Sequence, residues 1–131
     1  MTKLIHTMIR VSDLTKSLAF YDQTLELKVK NQYIFDDFTL TYLGNDSSDF
    51  ELELTYNHNI NQEYTHGNGY GHIAVSVDDI ENVHKKMTAL NTNPSEVTTF
   101  HHQSDVLATF FFITDPDGYK IEFIQREGRF S

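Results

Sequence analysis

Short stretches of alternating apolar and polar residues dominate this chain, and two other stretches repeat apolar residues at helical spacing. Residues 4–11 alternate, which predicts a strand. From Leu14 to Leu25 apolar residues recur every three or four positions, which predicts an amphipathic helix that begins after Ser12 or Asp13 as its N-cap. Three further strands are expected at residues 27–31, 34–43 and 50–56, with a turn cluster at 44–49.

The second half of the chain repeats this order of elements. Residues 71–77 predict a strand, and Asp78 or Asp79 is the expected cap of a helix whose apolar stripe runs from Ile80 to Leu90. The segment Asp115-Pro116-Asp117-Gly118 predicts a hairpin turn between the last two strands. The three strands that follow the helix are expected at residues 95–100, 108–114 and 120–125.

The two halves are related as an internal repeat. When the second half is laid over the first at an offset of 66 positions, His72 falls on His6 and Asp79 falls on Asp13. Such self-similarity indicates two copies of one module, each of which opens with a histidine.

The repeat predicts the fold class and the domain organisation. We expect an α+β fold of two βαβββ half-modules in a single domain, 1–131, with repeats at 1–60 and 68–131. The polar segment 57–68 lacks periodicity and is the expected linker. A half-module of about 60 residues is marginal alone. We therefore expect the two curved mixed sheets to enclose a cleft, either by packing side by side or by being exchanged between two chains.

Composition narrows the classes of partner. The net charge of −9 argues against a nucleic acid or an anionic membrane as the partner. No apolar run is long enough to cross a bilayer, and the N-terminus lacks a signal-peptide pattern, so a cytoplasmic protein is expected. Cysteine is absent, which leaves histidine and carboxylate side chains as the available metal ligands.

One histidine and one glutamate occupy matching places in each half. His6 lies in the first predicted strand and Glu53 in the last, and His72 and Glu122 repeat that arrangement. A single glutamate on a strand face is usually solvated, and a single histidine is usually a satisfied polar residue. The repetition favours a shared role, because two histidines and two glutamates suit a six-coordinate divalent cation with two open positions.

The other five histidines are expected to be linker, helix-surface or loop residues rather than metal ligands. His58 and His66 fall in the linker, and His84 falls on the surface of the second helix. His101 and His102 fall in a polar loop, where exposure is the simpler interpretation.

On these residues the sequence resembles glyoxalase I (lactoylglutathione lyase) of the short bacterial type, in the vicinal oxygen chelate superfamily. The matching blocks span nearly the whole chain in the family's order, and the set of blocks is more specific than any one of them. The blocks are His6–Val11, Leu18–Tyr21, Glu53–Asn57, Gly71–Ala74 and Asp115–Glu122.

The resemblance implies a metal site in a cleft of the glyoxalase/bleomycin-resistance-like fold. His6, Glu53, His72 and Glu122 would be the ligands, with Ni²⁺ or Co²⁺ favoured over Zn²⁺ because zinc-type enzymes have glutamine at the first position. It also implies a homodimer in which each active site is shared between subunits.

The same resemblance implies the reaction and its residues. Glu122 would be the catalytic base and Glu53 a ligand and second base, while Arg10 and Asn57 would bind the glutathione part of the substrate. The reaction would isomerise the hemithioacetal of glutathione and methylglyoxal to S-lactoylglutathione, which detoxifies methylglyoxal.

One segment departs from the family's pattern. Members usually carry a basic, glycine-rich segment before the penultimate strand, where it helps to hold a glutathione carboxylate. Residues 100–106 here contain neither lysine nor glycine, and Asn68 stands where zinc-type enzymes have an arginine. Another thiol is therefore an alternative to glutathione, and whether His101 and His102 replace the missing segment is open.

Three other functions share the fold and are alternatives. An extradiol dioxygenase would use iron with two histidines and one glutamate, which leaves Glu53 without a role. A thiol transferase acting on an antibiotic would also need fewer protein ligands. A non-catalytic resistance protein that sequesters a small molecule would need no metal at all.

Overall fold

Each half of the chain forms one α-helix and one four-stranded sheet in the computed structural model, which describes residues 1–61 and 63–131. The chain divides into two units, Met1–Thr65 and His66–Ser131. Within each described unit the order of elements is βαβββ, so the predicted fold class is confirmed.

The bounds of the elements follow the repeat. The first unit contains β1 (His6–Arg10), α1 (Leu14–Leu25), β2 (Lys28–Ile34), β3 (Phe38–Asn45) and β4 (Ser48–Asn57). The second unit contains β5 (Ile73–Val77), α2 (Ile80–Ala89), β6 (Thr98–His102), β7 (Asp105–Thr114), β8 (Lys120–Gln125) and a short 3₁₀ helix (Gly128–Phe130).

Both sheets have the same mixed topology. Their strand orders are β1-β4-β3-β2 and β5-β8-β7-β6, and the first and last strands of each unit pair in parallel. The remaining pairs are antiparallel. This order brings the strand that opens each unit beside the strand that closes it. As a result, His6 lies near Glu53 in the first unit and His72 lies near Glu122 in the second.

Each helix begins at an aspartate that caps it. The Asp13 carboxylate accepts a hydrogen bond from the backbone N–H of Lys16 at 3.0 Å, and Asp79 accepts one from Asn82 at 3.1 Å. The apolar stripes face the interior, with Tyr21 and Met87 fully buried. No helix in the described part of the chain is long and apolar enough to cross a membrane.

Two hairpin turns are tighter than the sequence predicts. The predicted turn cluster at 44–49 shrinks to Asp46 and Ser47, because Asn45 and Ser48 pair across the hairpin. Strand β7 begins at Asp105, before the predicted residue 108.

The expectation that His101 and His102 lie in a loop is therefore wrong. They close strand β6 and pair with Val106 and Asp105, although both histidines are exposed as expected. The chain turns at Gln103, whose φ of 59° allows a connection too short to be recognised from composition.

The Asp115–Gly118 turn forms as predicted. The Asp115 carboxylate accepts hydrogen bonds from the backbone N–H groups of Asp117 and Tyr119, at 2.9 and 2.8 Å. Gly118 has a φ of +89°, a backbone conformation that residues other than glycine rarely adopt. The turn sets the start of β8, and with it the position of Glu122.

Candidate metal centre

The first unit brings His6 and Glu53 together. His6 Nε2 lies 3.0 Å from Glu53 Oε1, and the side chains are 34% and 10% exposed. Glu53 on β4 pairs directly with Met8 on β1, so His6 reaches it diagonally from two residues earlier on the same face. The parallel pairing of β1 and β4 is therefore the cause of the contact.

The second unit repeats this arrangement with His72 and Glu122. His72 Nε2 lies 3.2 Å from Glu122 Oε1, and the side chains are 44% and 13% exposed. Glu122 pairs with Ala74, again two residues after the histidine. The repeat in the sequence thus corresponds to a repeat in side-chain geometry.

Neither glutamate is a solvated surface residue. Removing a carboxylate from water is costly unless it has a charged or hydrogen-bonding partner. In each unit an imidazole supplies that partner, from a residue 47 or 50 positions earlier in the chain than the glutamate. The simpler interpretation of an isolated exposed glutamate is therefore wrong for both positions.

The donors in each pair suit two neighbouring positions around one cation. Imidazole nitrogen and carboxylate oxygen together bind first-row divalent metals. Bonds of about 2.1 Å at right angles would separate two such donors by about 3.0 Å. The observed separations of 3.0 and 3.2 Å fit that spacing.

Each unit supplies two donors. Among residues 1–61 and 63–131, no group of three or more His, Asp or Glu side chains is gathered around a point that could hold a metal ion. The role of the four residues as ligands of one metal stays a prediction.

An aromatic ring contacts the histidine of each pair. Tyr42 on β3 pairs directly with Glu53, and its ring meets the edge of His6 at a centroid distance of 5.7 Å. Phe112 on β7 pairs directly with Glu122, and its ring meets His72 at 5.4 Å. The interplanar angles are 77° and 74°, so the two rings occupy equivalent positions.

Tyr42 adds a hydroxyl to the first pair. Burial raises the pKa of the Tyr42 phenol above its usual value, and the charge of Glu53 and a hydrogen bond to it add to the rise. Sequence reasoning missed Tyr42. The available signal was the repeat itself, since Tyr42 and Phe112 precede the two glutamates by 11 and 10 residues.

Arg10 and Asn57 lie further along the face that carries His6 and Glu53. Arg10 pairs with Thr55, and Asn57 lies two residues beyond, which is the same diagonal relation that joins His6 to Glu53. Four residues of strand correspond to about 13 Å. The Asn57 amide donates to the Tyr64 hydroxyl at 3.2 Å, which orients it. Their role in substrate binding stays a prediction.

Three histidines expected in the linker or on the helix surface also hold local structure. His58 Nδ1 donates to the Asp36 carbonyl at 3.0 Å, which leaves Nε2 to accept from the Thr39 hydroxyl at 2.8 Å. His84 Nε2 donates to the Ser95 carbonyl at 2.8 Å. His66 stacks on a tyrosine. Their places in the linker and on the second helix are as expected, but these partners are distant in sequence and were not predicted.

The ring that His66 stacks on is Tyr119, at a centroid distance of 4.2 Å, and Tyr70 packs against both. The Tyr70 hydroxyl donates to the Lys120 carbonyl at 3.0 Å. Burial raises the pKa of Tyr70 to about 12, with the nearby charge of Asp115 and then Tyr119 contributing. This aromatic cluster supports the start of β8, two residues before Glu122.

Comparison with known proteins adds independent information. A family model described as the Glyoxalase/Bleomycin resistance protein/Dioxygenase superfamily matches residues 3–123. The chain is 41% identical over 130 residues to the lactoylglutathione lyase of Neisseria meningitidis serogroup A, covering 95% of this chain and 91% of that protein. It is 38% identical over 130 residues to the lactoylglutathione lyase of Haemophilus influenzae, covering 95% and 93%.

A solved structure agrees with these relatives. The trypanothione-dependent glyoxalase I of Leishmania major superimposes with a TM-score of 0.74 and 35% sequence identity. The match covers 95% of this chain and 87% of that chain.

Proposed function

This chain belongs to the Glyoxalase/Bleomycin resistance protein/Dioxygenase superfamily, and from that membership we propose that it acts as a lactoylglutathione lyase. The proposed reaction converts the hemithioacetal of glutathione and methylglyoxal into S-lactoylglutathione. Relatives named for this activity match the chain over nearly its full length. The observation that carries the proposal is the His–Glu pair that recurs with the same geometry in both units.

The proposed cofactor is one divalent metal bound by both pairs together. His6, Glu53, His72 and Glu122 would supply two nitrogen and two oxygen donors, with Ni²⁺ or Co²⁺ favoured and Zn²⁺ the alternative. When bound, such a metal supplies a Lewis acid that stabilises the negative charge developing on the substrate's oxygens.

Glu122 is the proposed base. A carboxylate only 13% exposed keeps little water around it, so it is suited to exchanging a proton with a bound substrate. It would take the proton from the carbon that bears the sulfur and the hydroxyl, and return it to the neighbouring carbon. The reaction is then an isomerisation without an external oxidant. Glu53 would be a ligand and the second candidate base.

Arg10 and Asn57 are the proposed contacts for the thiol part of the substrate. Their position about 13 Å along the strands from the His6–Glu53 pair matches an elongated, tripeptide-sized thiol. The net charge of −9 would repel an anion, so a placed guanidinium is needed to bind a glutathione carboxylate.

The proposal that glutathione is the substrate thiol has a specific alternative. Residues 100–106 lack the lysine and glycine that the family pattern has there, and His101 and His102 project from the end of β6 instead. The structural relative from Leishmania major is described as trypanothione-dependent. We therefore propose glutathione as the first thiol to test and trypanothione as the second.

The proposed assembly is a homodimer in the cytoplasm, where glutathione is abundant as the redox buffer. Large apolar side chains are exposed on the single chain, among them Leu4 at 86% and Ile34 at 73%. In the proposed homodimer the partner subunit would cover part of this apolar surface.

The experiment that tests the function starts from protein stripped by a chelator and reloaded separately with Ni²⁺, Co²⁺, Zn²⁺ or Fe²⁺. Each form is assayed on the hemithioacetals of glutathione and trypanothione, and in parallel on catechols with oxygen. We expect isomerase activity that returns with Ni²⁺ or Co²⁺. Turnover restricted to iron and catechol would establish a dioxygenase instead, and small-molecule binding without turnover would establish a sequestering protein.

A further inference from the structure

We propose that Tyr64 is a positioning residue for the thiol part of the substrate and that it acts through the side chain of Asn57. Its hydroxyl holds the Asn57 amide in one orientation, so that the amide is already in place when the substrate arrives. This inference rests on the proposed function and deepens it, because Asn57 is one of the two residues proposed to bind the thiol. Tyr64 itself lies in the segment that the sequence identifies only as a polar linker.

The backbone of Asn57 is held without help from Tyr64. Asn57 is the last residue of strand β4, and it pairs with Phe38 on β3. The backbone N–H of His58, the next residue, donates to the Asp37 carbonyl at 2.8 Å. Strand pairing therefore determines where the main chain of Asn57 lies, and it leaves the direction of the side-chain amide undetermined.

The side-chain amide of Asn57 is oriented by one contact. Its Nδ2 donates a hydrogen bond to the Tyr64 hydroxyl at 3.2 Å. Within residues 1–61 and 63–131, this amide has no other hydrogen-bond partner. An asparagine side chain carries two N–H donors and one oxygen acceptor. The bond to Tyr64 uses one N–H, so the second N–H and Oδ1 are the atoms that can contact a substrate.

Tyr64 reaches Asn57 because the chain turns directly after β4. Asn59 has a φ of 62°, a left-handed conformation that ends the extended direction of the strand. Tyr64 is half-buried, whereas Glu63 and Thr65 on either side of it are exposed. Tyr64 and Asn57 both belong to the unit Met1–Thr65, so the contact forms within one unit. The hydroxyl therefore joins the end of the linker to the end of the strand.

A positioning role and a purely structural role predict different consequences when the hydroxyl is removed. An amide that nothing holds can rotate about the side-chain bonds, and substrate binding must then stop that rotation at a cost in affinity. The chemical step is unaffected, because Asn57 lies about 13 Å along the strands from the His6–Glu53 pair. A bond that only fastened the linker would instead contribute to the stability of the fold.

The test removes the hydroxyl with Tyr64→Phe and the amide with Asn57→Ala, singly and together, in the full-length protein. Tyr56→Phe is the matched control, because it removes a hydroxyl from the preceding residue of β4, whose side chain lies on the opposite face of the strand. Kinetics on the hemithioacetal of glutathione and methylglyoxal give KM and kcat. Calorimetry with S-methylglutathione measures the binding of an unreactive analogue to metal-free protein, and thermal unfolding shows whether each variant is folded.

We expect Tyr64→Phe to raise KM and to weaken S-methylglutathione binding by about three- to tenfold with kcat unchanged, because the lost bond affects binding alone. Asn57→Ala should have an equal or larger effect. The double variant should bind no more weakly than Asn57→Ala, because Tyr64 acts through Asn57. Tyr56→Phe should match the unaltered protein. A purely structural role would lower the unfolding temperature without this dependence on Asn57.

Unchanged KM and unchanged analogue binding in Tyr64→Phe would overturn the inference, and so would losses that add in the double variant. Loss of the fold in Tyr64→Phe would also contradict it, since the hydroxyl would then have a structural role. If the unaltered protein neither binds S-methylglutathione nor isomerises the hemithioacetal, the proposed function fails and this inference fails with it. If the inference alone is wrong, the unaltered protein still binds the analogue and is active, so the two failures are distinguished.

Discussion

Glu122 is the residue on which the proposed chemistry depends most. Its neighbours Ile121 and Phe123 are almost fully buried, so the strand that carries Glu122 is anchored on its other face. Its carboxylate emerges beside His72 with little exposure. A rigid strand is a better support for a base than a loop, because the carboxylate must stay within reach of a single proton.

Replacing Glu122 by glutamine should keep the fold and remove most of the turnover. The amide has nearly the same shape but cannot accept the substrate's proton, so kcat should fall by about 10² to 10⁴, measured with saturating metal. Glu96→Gln is the matched control, since Glu96 is exposed in the same unit. Near wild-type kcat in Glu122→Gln would refute the assignment of the base.

At the scale of elements, the two helices show how local sequence determines where an element begins. The sequence left Ser12 or Asp13, and Asp78 or Asp79, as candidate caps. In the structure Asp13 and Asp79 accept the capping hydrogen bonds. Asp78 instead pairs with Arg126 at 2.9 Å, a partner 48 residues away that no local pattern predicts.

Asp79→Ala should destabilise the fold by about 0.5–2 kcal/mol, because the backbone N–H of Asn82 loses its acceptor. Asp79→Asn should lose much less, since asparagine caps helices about as well as aspartate. Urea unfolding measures both variants. Equal losses for alanine and asparagine would show that the charge of Asp79 matters, rather than its cap.

At the scale of the whole molecule, the proposal requires four ligands that come from two units. The resemblance implies that the first pair of one subunit meets the second pair of the other. That arrangement makes a specific prediction about mixed dimers. If one subunit has a defective first pair and the other a defective second pair, both defects fall in one site and the other site stays intact.

Glu53→Gln and Glu122→Gln proteins should each be inactive, and together they should regain activity after their subunits exchange. Half of the dimers would be mixed and would keep one intact site, so activity should approach about a quarter of wild type. Sedimentation confirms that the exchanged material is dimeric. If activity does not recover after proven exchange, the shared-site proposal is wrong. Sites formed within one chain would each keep one substituted glutamate in every mixture, so no activity would return.

Much of this fold could be predicted because its patterns are local and occur twice. Residues 120–125 were predicted as a strand and form β8 with the same bounds. The Asp115–Gly118 turn also formed as expected, because glycine and aspartate determine that geometry within four residues. The resemblance to the glyoxalase family is likewise confirmed.

The features that the sequence did not predict share one physical cause. His58, His66 and His84 lie in the linker and on the second helix as expected, but the partners that hold them are distant in sequence and were not predicted. His101 and His102 were expected in a loop, but the ladder with β7 extends β6 through them. Local sequence patterns describe a residue's neighbours along the chain. In each of these cases a residue that is a neighbour only in the folded structure determined the environment of the histidine.

The sequence by itself determined the repeat, the order of elements and the four residues that carry the proposed metal chemistry, because periodicity and matched spacing are properties of the chain. The tertiary structure decided what surrounds them. Strand pairing sets His6 diagonally from Glu53, and it places the Tyr42 ring opposite Glu53 and the Phe112 ring opposite Glu122. Contacts across a sheet depend on the register of its strands. Tyr42 and His6 precede Glu53 by 11 and 47 positions in the chain, and those separations do not reveal the register.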